Sequence, residues 1–228
     1  MRVLLEHRHQ LVELRTRAKN GLQALALSYG LRRRSRLWSA AGQEELQKLP
    51  LREGMARRRE DLLRLLAQLE QWVQELDQRI EQEVAGREDA QRLMTHPGVG
   101  PLTALGTVLV LGPVERFPDA RHVTSYVGLI PQEESSGSRH RFGHLSKQGN
   151  RLLRFLLVEA AQTASRFDPG LRRVYRRLAF RKGAALAKVA VARKLIIRLY
   201  IMLRDQIDYE EFCRRGSHAG MLGEVALA

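Results

Sequence analysis

A run of apolar residues at alternating steps of four and three constrains the fold of this chain more than any other feature. Between residues 62 and 84 the run passes through Leu62, Leu66, Leu69, Val73, Leu76, Ile80 and Val84. These steps are those of a heptad seam, and the flanking glutamates, glutamines and arginines favour an antiparallel hairpin or a coiled coil between subunits. A helix over about residues 55–84 would be about 45 Å long, which exceeds the interior of a small domain.

The rest of the chain is also predicted to be helical. A long amphipathic helix covers about residues 4–29, and shorter ones cover residues 119–127, 147–165, 171–180 and 184–202, with an irregular or hairpin-like segment at 130–142. The expected fold class is all-α, with a coiled-coil arm at 1–90 and a compact helical domain at 91–216. The tail at 217–228 is rich in small residues and is predicted to be disordered.

The charge balance indicates a polyanionic partner. Lysine and arginine number 39 against 25 aspartates and glutamates, which gives a net charge of +14, so nucleic acid is the leading partner. No apolar run approaches the roughly 18 residues of a membrane span. With no signal-peptide pattern and one cysteine, Cys213, the cytoplasm is the expected location and a zinc site built on several cysteines is excluded. The chain itself is expected to bind no cofactor.

Two segments outside the heptad seam are candidate phosphate ligands. Arg32, Arg33 and Arg34 follow the first helix and either grip phosphates or form a solvated basic turn. The segment "HPGVGPLTA" is typical of a helix-hairpin-helix turn, in which Gly98, Gly100 and Thr103 would bring free backbone N–H groups to a phosphate. The alternative is a plain corner between two helices, with glycines that serve packing.

A third candidate is the segment "SSGSRHRFGHLSKQGNRLLR" at 135–154. Ser135 and Ser136 precede a stretch without acidic residues, whose candidate phosphate ligands are Arg139, Arg141, Lys147, Asn150, Arg151 and Arg154. A serine that attacks a phosphodiester needs cations around the phosphate and a general base. The segment supplies cations and no evident base, so its composition alone favours a phosphate-binding loop with solvated serines.

The segment from His96 to Ala161 resembles a known family. Its PGVGPLTA turn, the pattern F-P-x-A-R-x-x-x-S-Y-x-G-L-x-P, the SSG triplet and the pattern G-x-x-x-K-x-G-N-x-x-L-R are similar to the C-terminal transposase domain of insertion-sequence family 110, which is grouped with 116, 902 and the Piv-type DNA invertases. Residues 1–90 resemble the coiled coil of that family. The resemblance implies DNA transposition or recombination by a serine nucleophile, and Ser136, directly before Gly137, matches the nucleophile position, with Ser135 as the competitor.

The resemblance also implies partners. We expect the protein to bind DNA and a structured guide RNA. We also expect it to form a homo-oligomer, either a dimer or a tetramer, through the coiled coil, and not to associate with a membrane. Magnesium is expected only in a RuvC-like acidic domain, which in this family precedes the coiled coil. Because this sequence begins within the arm, we expect an amino-terminally truncated transposase that is not a complete recombinase. The alternatives are a non-catalytic nucleic-acid-binding and oligomerising remnant or inhibitor, and a helix-hairpin-helix structural protein if the motif match is fortuitous.

Overall fold

The computed structural model describes residues 1–32, 36–133, 142–146 and 148–215. The helices are α1 (Arg2–Ser28), α2 (Ala40–Lys48), α3 (Glu53–Ala85), α4 (Glu88–Met94), α5 (Pro101–Leu111), α6 (Ala120–Val127), α7 (Arg151–Phe167), α8 (Pro169–Lys182), α9 (Ala184–Arg204) and α10 (Tyr209–Arg215). Two short strands, β1 (Pro131–Glu133) and β2 (Phe142–Leu145), form one antiparallel pair. The all-α prediction is confirmed.

Residues Glu6–Arg79 form one compact unit. In this unit α1 and α3 run antiparallel, because Arg8 contacts Asp77 near one end and Leu22 packs in the same apolar cluster as Leu66 near the other. Leu11 of α1 packs in one buried cluster with Leu69 and Val73 of α3. The predicted seam is therefore occupied within one chain over this stretch, and contact with a second copy would use other residues.

Helix α2 closes one end of the α1–α3 pair. Leu46 of α2 and Leu37 of the preceding turn are buried in the same cluster as Leu22 and Leu66. Ser39 caps the helix, since its hydroxyl accepts a hydrogen bond from the N–H of Gly42. This short helix was absent from the sequence prediction.

The second compact unit contains residues 1–5 and the described residues from Ile80 onward. Its central element is α9, which contacts α4, α6, α7 and α8 and buries Leu195, Ile196 and Leu199 completely. The apolar character of residues 184–202 thus reflects their place in a core helix. In the part of the chain that the structure describes, no helix is long and apolar enough to cross a membrane.

Candidate nucleic-acid site and serine loop

The predicted serine segment connects two paired strands. Pro131 of β1 lies opposite Leu145 of β2, and Glu133 lies opposite Phe142. The N–H of Ser146 continues the pairing by donating to the carbonyl oxygen of Ile130 at 2.9 Å. Ser135 and Ser136, together with Arg139 and Arg141, belong to the segment between the strands and lie outside the described residues, as does Lys147 just after β2.

Two glycines join the backbone on either side of this hairpin. Gly128 ends α6 with φ of 75°, and an added Cβ would lie 1.8 Å from the carbonyl oxygen of Gln148. Gly149 has φ of 99°, and its Cβ would lie 2.1 Å from the carbonyl oxygen of Tyr126. Only glycine fits either position, because a side chain would both clash with backbone and require an unfavourable φ. The chain entering the hairpin is therefore held directly against the chain leaving it.

Arg154, predicted to bind phosphate, lies at the same junction. Its Nη1 donates to the carbonyl oxygens of Val127, Gln148 and Gly149 at 3.1, 3.1 and 3.0 Å. These bonds connect α7 to both chain segments below the hairpin. Burial lowers the pKa of the Arg154 guanidinium, and the nearby charge of Arg151 acts in the same direction. Nη1 of Arg154 therefore stabilises the junction between α7 and the two chain segments.

Asn150 and Arg151 occupy the amino-terminal end of α7. The side-chain oxygen of Asn150 accepts a hydrogen bond from the N–H of Leu153 at 2.8 Å and so caps the helix. Arg151 is the first residue of α7 and its side chain is exposed. The G-N-x-x-L-R pattern therefore has a local structural meaning, in which a glycine makes the close approach, an asparagine caps the helix, and Leu153 and Arg154 anchor it.

The aromatic motif before the hairpin supports α6. The Phe117 ring lies 5.3 Å from the Tyr126 ring, and the Arg116 guanidinium is 4.6 Å from the centre of each. The carbonyl oxygen of Phe117 accepts a hydrogen bond from the buried Tyr200 hydroxyl at 2.9 Å. Asp119 caps α6 by accepting from the N–H groups of Arg121 and His122.

The predicted helix-hairpin-helix turn connects α4 to α5. At Gly98, where φ is 87°, an added Cβ would lie 2.5 Å from the backbone nitrogen of Ala164 in α7. Gly98 therefore permits close packing of the turn on α7. Gly100 caps α5 and an added Cβ would meet nothing within 4 Å, whereas Thr103 is buried. Of the three predicted ligands in this turn, Gly100 has the most open surroundings.

A buried polar cluster lies beside that turn and was not predicted from the sequence. Asp168 caps α8 and also accepts hydrogen bonds from Arg198 and from the Tyr209 hydroxyl, the latter at 2.6 Å. The Tyr209 ring stacks edge-on against His96 at 4.7 Å. Burial raises the pKa of Asp168, but the hydrogen bond from the Leu171 N–H and those from Tyr209 and Arg198 outweigh it, so the net pKa is lowered.

His96 is the residue of this cluster with an unsatisfied atom. Its Nδ1 lies 3.0 Å from the carbonyl oxygen of Pro97, to which it donates, and its Nε2 is buried without a hydrogen-bond partner among the described residues. Burial lowers the pKa of His96 to about 4, so the imidazole is neutral at pH 7. The neutral ring therefore adds no charge to the buried site beside Tyr209, where Asp168 and Arg198 already form an ion pair.

The remaining predicted ligands are arginines after α1. Arg32 is exposed, and Arg33 and Arg34 lie outside the described residues. Among the residues that the structure describes, no three histidine, cysteine, aspartate or glutamate side chains lie close enough to hold a metal ion. The described residues therefore offer no set of side chains that fits a magnesium ion.

A basic surface that was not predicted from the sequence lies on α8. Residues 169–204 contain eleven lysines and arginines and no aspartate or glutamate. In α8 the exposed side chains include Arg172, Arg173, Arg176, Arg177 and Arg181. The lack of acidic residues between 169 and 204 already indicates, from the sequence alone, a surface that binds polyanions.

Comparison with known proteins identifies the class. Residues 90–176, which contain the α4–α5 turn, the β1–β2 hairpin and α7, match the model of the Transposase IS116/IS110/IS902 family. Residues 90–176 therefore form a domain of the Transposase IS116/IS110/IS902 family.

Several relatives are named as transposases, and one is named as a pilin gene-inverting protein. The chain is 29% identical over 211 residues to a probable family 20 transposase of Pseudomonas aeruginosa, covering 89% of this chain and 62% of the relative. It is 29% identical over 175 residues to the transposase of insertion sequence element IS1111A of Coxiella burnetii, covering 73% and 47%. The pilin gene-inverting protein of Moraxella lacunata is 30% identical over 127 residues, covering 54% and 39%. The chain thus spans only part of the length of these relatives.

Proposed function

We propose that this chain acts in DNA transposition or site-specific recombination, with Ser136 as the nucleophile. The observation that carries the proposal is the junction of Gly128, Gly149 and Arg154, which fixes both ends of the segment containing Ser136 against α6 and α7. A nucleophile on a loop is effective when a rigid scaffold positions it. The family match and the relatives named as transposases support the same class of reaction.

The proposed step is a transfer of the DNA phosphate to serine. The Ser136 Oγ bonds to phosphorus while the bond from phosphorus to the 3′ oxygen breaks, so a 5′-phosphoserine link forms and a 3′-hydroxyl leaves. The serine proton passes to a base, and the departing 3′ oxygen takes up a proton from solvent. Arg139, Arg141 and Lys147 are the proposed phosphate ligands in the segment itself. Cations at these positions would stabilise the charge that develops on the phosphoryl oxygens.

We propose that Arg151 binds a phosphate that flanks the reacting one. The Nε and Nη2 atoms of Arg154 are proposed to bind another, because the bonds to the backbone carbonyls use Nη1. Gly98 and Gly100, with Arg32, Arg33 and Arg34, are proposed contacts to more distant backbone phosphates. DNA is the proposed substrate, and a structured guide RNA, self-association and a cytoplasmic location remain parts of the proposal. Since the described residues do not fit magnesium, no step of this proposal passes through a metal.

Covalent trapping of DNA tests the assignment of Ser136. The purified chain is mixed with labelled DNA from the junctions that flank its gene, a guide-RNA transcript, and the acidic domain of a longer relative supplied in trans. Label that remains on the protein after denaturation measures the phosphoserine link. We expect Ser136→Ala to abolish the adduct and the matched control Ser135→Ala to retain it.

The outcomes separate the candidate functions. Equal trapping by wild-type protein and Ser136→Ala would refute Ser136, and loss only in Ser135→Ala would transfer the role to its neighbour. If the wild-type chain binds the DNA and forms no adduct under these conditions, the alternative of a non-catalytic nucleic-acid-binding and oligomerising module replaces the proposal.

A further inference from the structure

The outward face of α8 combines a basic surface with a fully exposed aromatic ring. Phe180 is 94% exposed, the highest value among the exposed large apolar side chains of the described residues. At about 100° per residue, five arginines span about half of the helix circumference, and Phe180 lies in the middle of that arc. The arginines are Arg172, Arg173, Arg176, Arg177 and Arg181. Together with Phe180, we call them the α8 basic face.

The opposite side of α8 holds this face in place. Leu171 is completely buried in the core, and Val174 and Tyr175 pack against it. The helix begins with Pro169 after the cap residue Asp168, whose carboxylate is itself bonded to Arg198 of α9. Because the apolar side is anchored along the helix, the arginines and Phe180 are presented by a preorganised element.

The charges of the face are available for a ligand. Arg172 donates to the carbonyl oxygen of Arg166, and the other four arginines form no ion pair with any described carboxylate. The ion pairs of this part of the chain use Arg198, Arg204, Arg214 and Arg215 instead. Residues 169–204, which form α8 and α9, contain no acidic residue. Neither helix therefore supplies a carboxylate that could neutralise the arginines of the face.

We propose that the α8 basic face binds single-stranded DNA, with the arginines on successive phosphates and the Phe180 ring stacked on a base. A single strand exposes the flat faces of its bases, which a duplex hides, and stacking on an aromatic ring accepts any base. The phosphate charges match the arginines on both sides of the ring. Such binding also covers an apolar side chain that is otherwise left in water.

This inference uses the proposed function only in taking DNA as the substrate. Its site is α8, apart from the serine segment, and half of the face, including Phe180 and Arg181, lies beyond the residues that match the family model. Binding by α8 needs no cleavage chemistry. Failure of the α8 tests therefore leaves the Ser136 assignment untouched, and the reverse also holds.

Fluorescence anisotropy of the full chain tests the inference. The probes are a labelled 20-nucleotide oligo-dT, an oligo-U of the same length and a 20-base-pair duplex. Stacking of one base corresponds to a change of about five-fold or more in affinity, so we expect Phe180→Ala to weaken oligo-dT binding at least five-fold and duplex binding less than two-fold. Phe180→Trp should restore oligo-dT binding to within two-fold of wild type.

Two further variants complete the design. Phe167→Ala removes another exposed phenylalanine, 66% exposed, which is the last residue of α7, and should leave both affinities within two-fold. The double variant Arg177→Gln/Arg181→Gln should weaken oligo-dT binding and reduce the slope of log affinity against log salt by about 1.4. Because all these side chains are exposed, circular dichroism should report an unchanged fold.

Three results would overturn the inference. Equal oligo-dT affinity of Phe180→Ala and Phe167→Ala would refute the stacking role of Phe180. An equal loss with duplex would show that the face does not select single strands. Preference for oligo-U over oligo-dT by ten-fold or more would replace DNA with RNA as the occupant.

Discussion

Gly128 and Gln148 approach so closely that a Cβ on the glycine would lie 1.8 Å from the glutamine carbonyl oxygen. The contact joins the end of α6 to the chain that leaves the hairpin, twenty residues later in the sequence. It explains in physical terms why a glycine is required in the S-Y-x-G-L part of the motif. The same contact lies at the base of the β1–β2 pair, whose connecting residues include Ser135 and Ser136.

Replacing Gly128 with alanine should be strongly destabilising. The left-handed backbone alone costs a β-carbon about 1–2 kcal/mol, and the backbone clash adds to it, so we expect the free energy of unfolding to fall by at least about 3 kcal/mol. Urea denaturation measures the change. The control Gly86→Ala, whose Cβ would meet only an ordinary contact at 3.8 Å, should change stability by less than about 0.5 kcal/mol. Similar losses in both variants would contradict the close approach.

Asp168 should matter more than an ordinary helix cap. Asp168→Ala removes the cap of α8 and leaves the half-buried Arg198 guanidinium without its partner, and breaking such a pair costs about 3–5 kcal/mol. Asp119→Ala removes a cap at the exposed start of α6 and should cost about 1 kcal/mol. Chemical denaturation of both variants compares them directly, and equal losses would show that the Arg198 and Tyr209 bonds contribute little.

The long helices were predictable because their information is local. The seam through Leu66, Leu69 and Val73 defines α3 from spacing alone, and the apolar surface of residues 184–202 defines α9. The start of α7 was predicted at Lys147, but the structure places its cap at Asn150, because Gly149 must first make its close approach. Short α2 lacks a comparable periodic signal and forms by packing on α1 and α3.

The site was less predictable, because its contacts join distant residues. The sequence indicates that Arg154 is a cation near the serines, yet its bond to the Val127 carbonyl, 27 residues earlier, depends on tertiary structure. In the same way, an aspartate directly before Pro-Gly is typical of a helix cap, which Asp168 forms for α8. Its bonds to Arg198 and Tyr209, in contrast, depend on the tertiary structure. The composition of residues 169–204 indicates a basic surface, and the structure adds that the Phe180 ring within it is exposed.

Tyr200→Phe should weaken the core below the aromatic motif. The hydroxyl of Tyr200 is buried and donates to the Phe117 carbonyl, so its removal leaves a buried acceptor unpaired at a cost of about 1–3 kcal/mol. The half-buried Tyr175 forms no hydrogen bond through its hydroxyl among the described residues, and Tyr175→Phe should be nearly neutral. Thermal unfolding followed by circular dichroism gives both values, and a neutral Tyr200→Phe would show that the Phe117 carbonyl finds another donor.

His96 should make the fold sensitive to mild acid. Burial lowers its pKa in the folded chain from 6.5 to about 4, with the Arg198 charge acting in the same direction and the Pro97 carbonyl and Asp168 opposing. Because the unfolded chain binds a proton on this residue at a higher pH than the folded chain, stability falls as the pH decreases from about 6.5 to about 4. The loss attributable to His96 is at most about 3 kcal/mol, since one pKa unit corresponds to about 1.4 kcal/mol.

Urea denaturation of wild type and His96→Phe at intervals between pH 7.5 and 4.5 isolates this effect. The phenylalanine keeps a ring against Tyr209 and cannot titrate, so its loss of the Pro97 hydrogen bond lowers stability equally at every pH. We expect the stability difference between wild type and His96→Phe to shrink steadily below pH 6.5, because only the wild-type protein must bury a residue that its unfolded state protonates. Parallel pH profiles for the two proteins would mean that His96 is protonated in the fold at its ordinary pKa, and that the pocket beside Tyr209 admits enough water to solvate the charge.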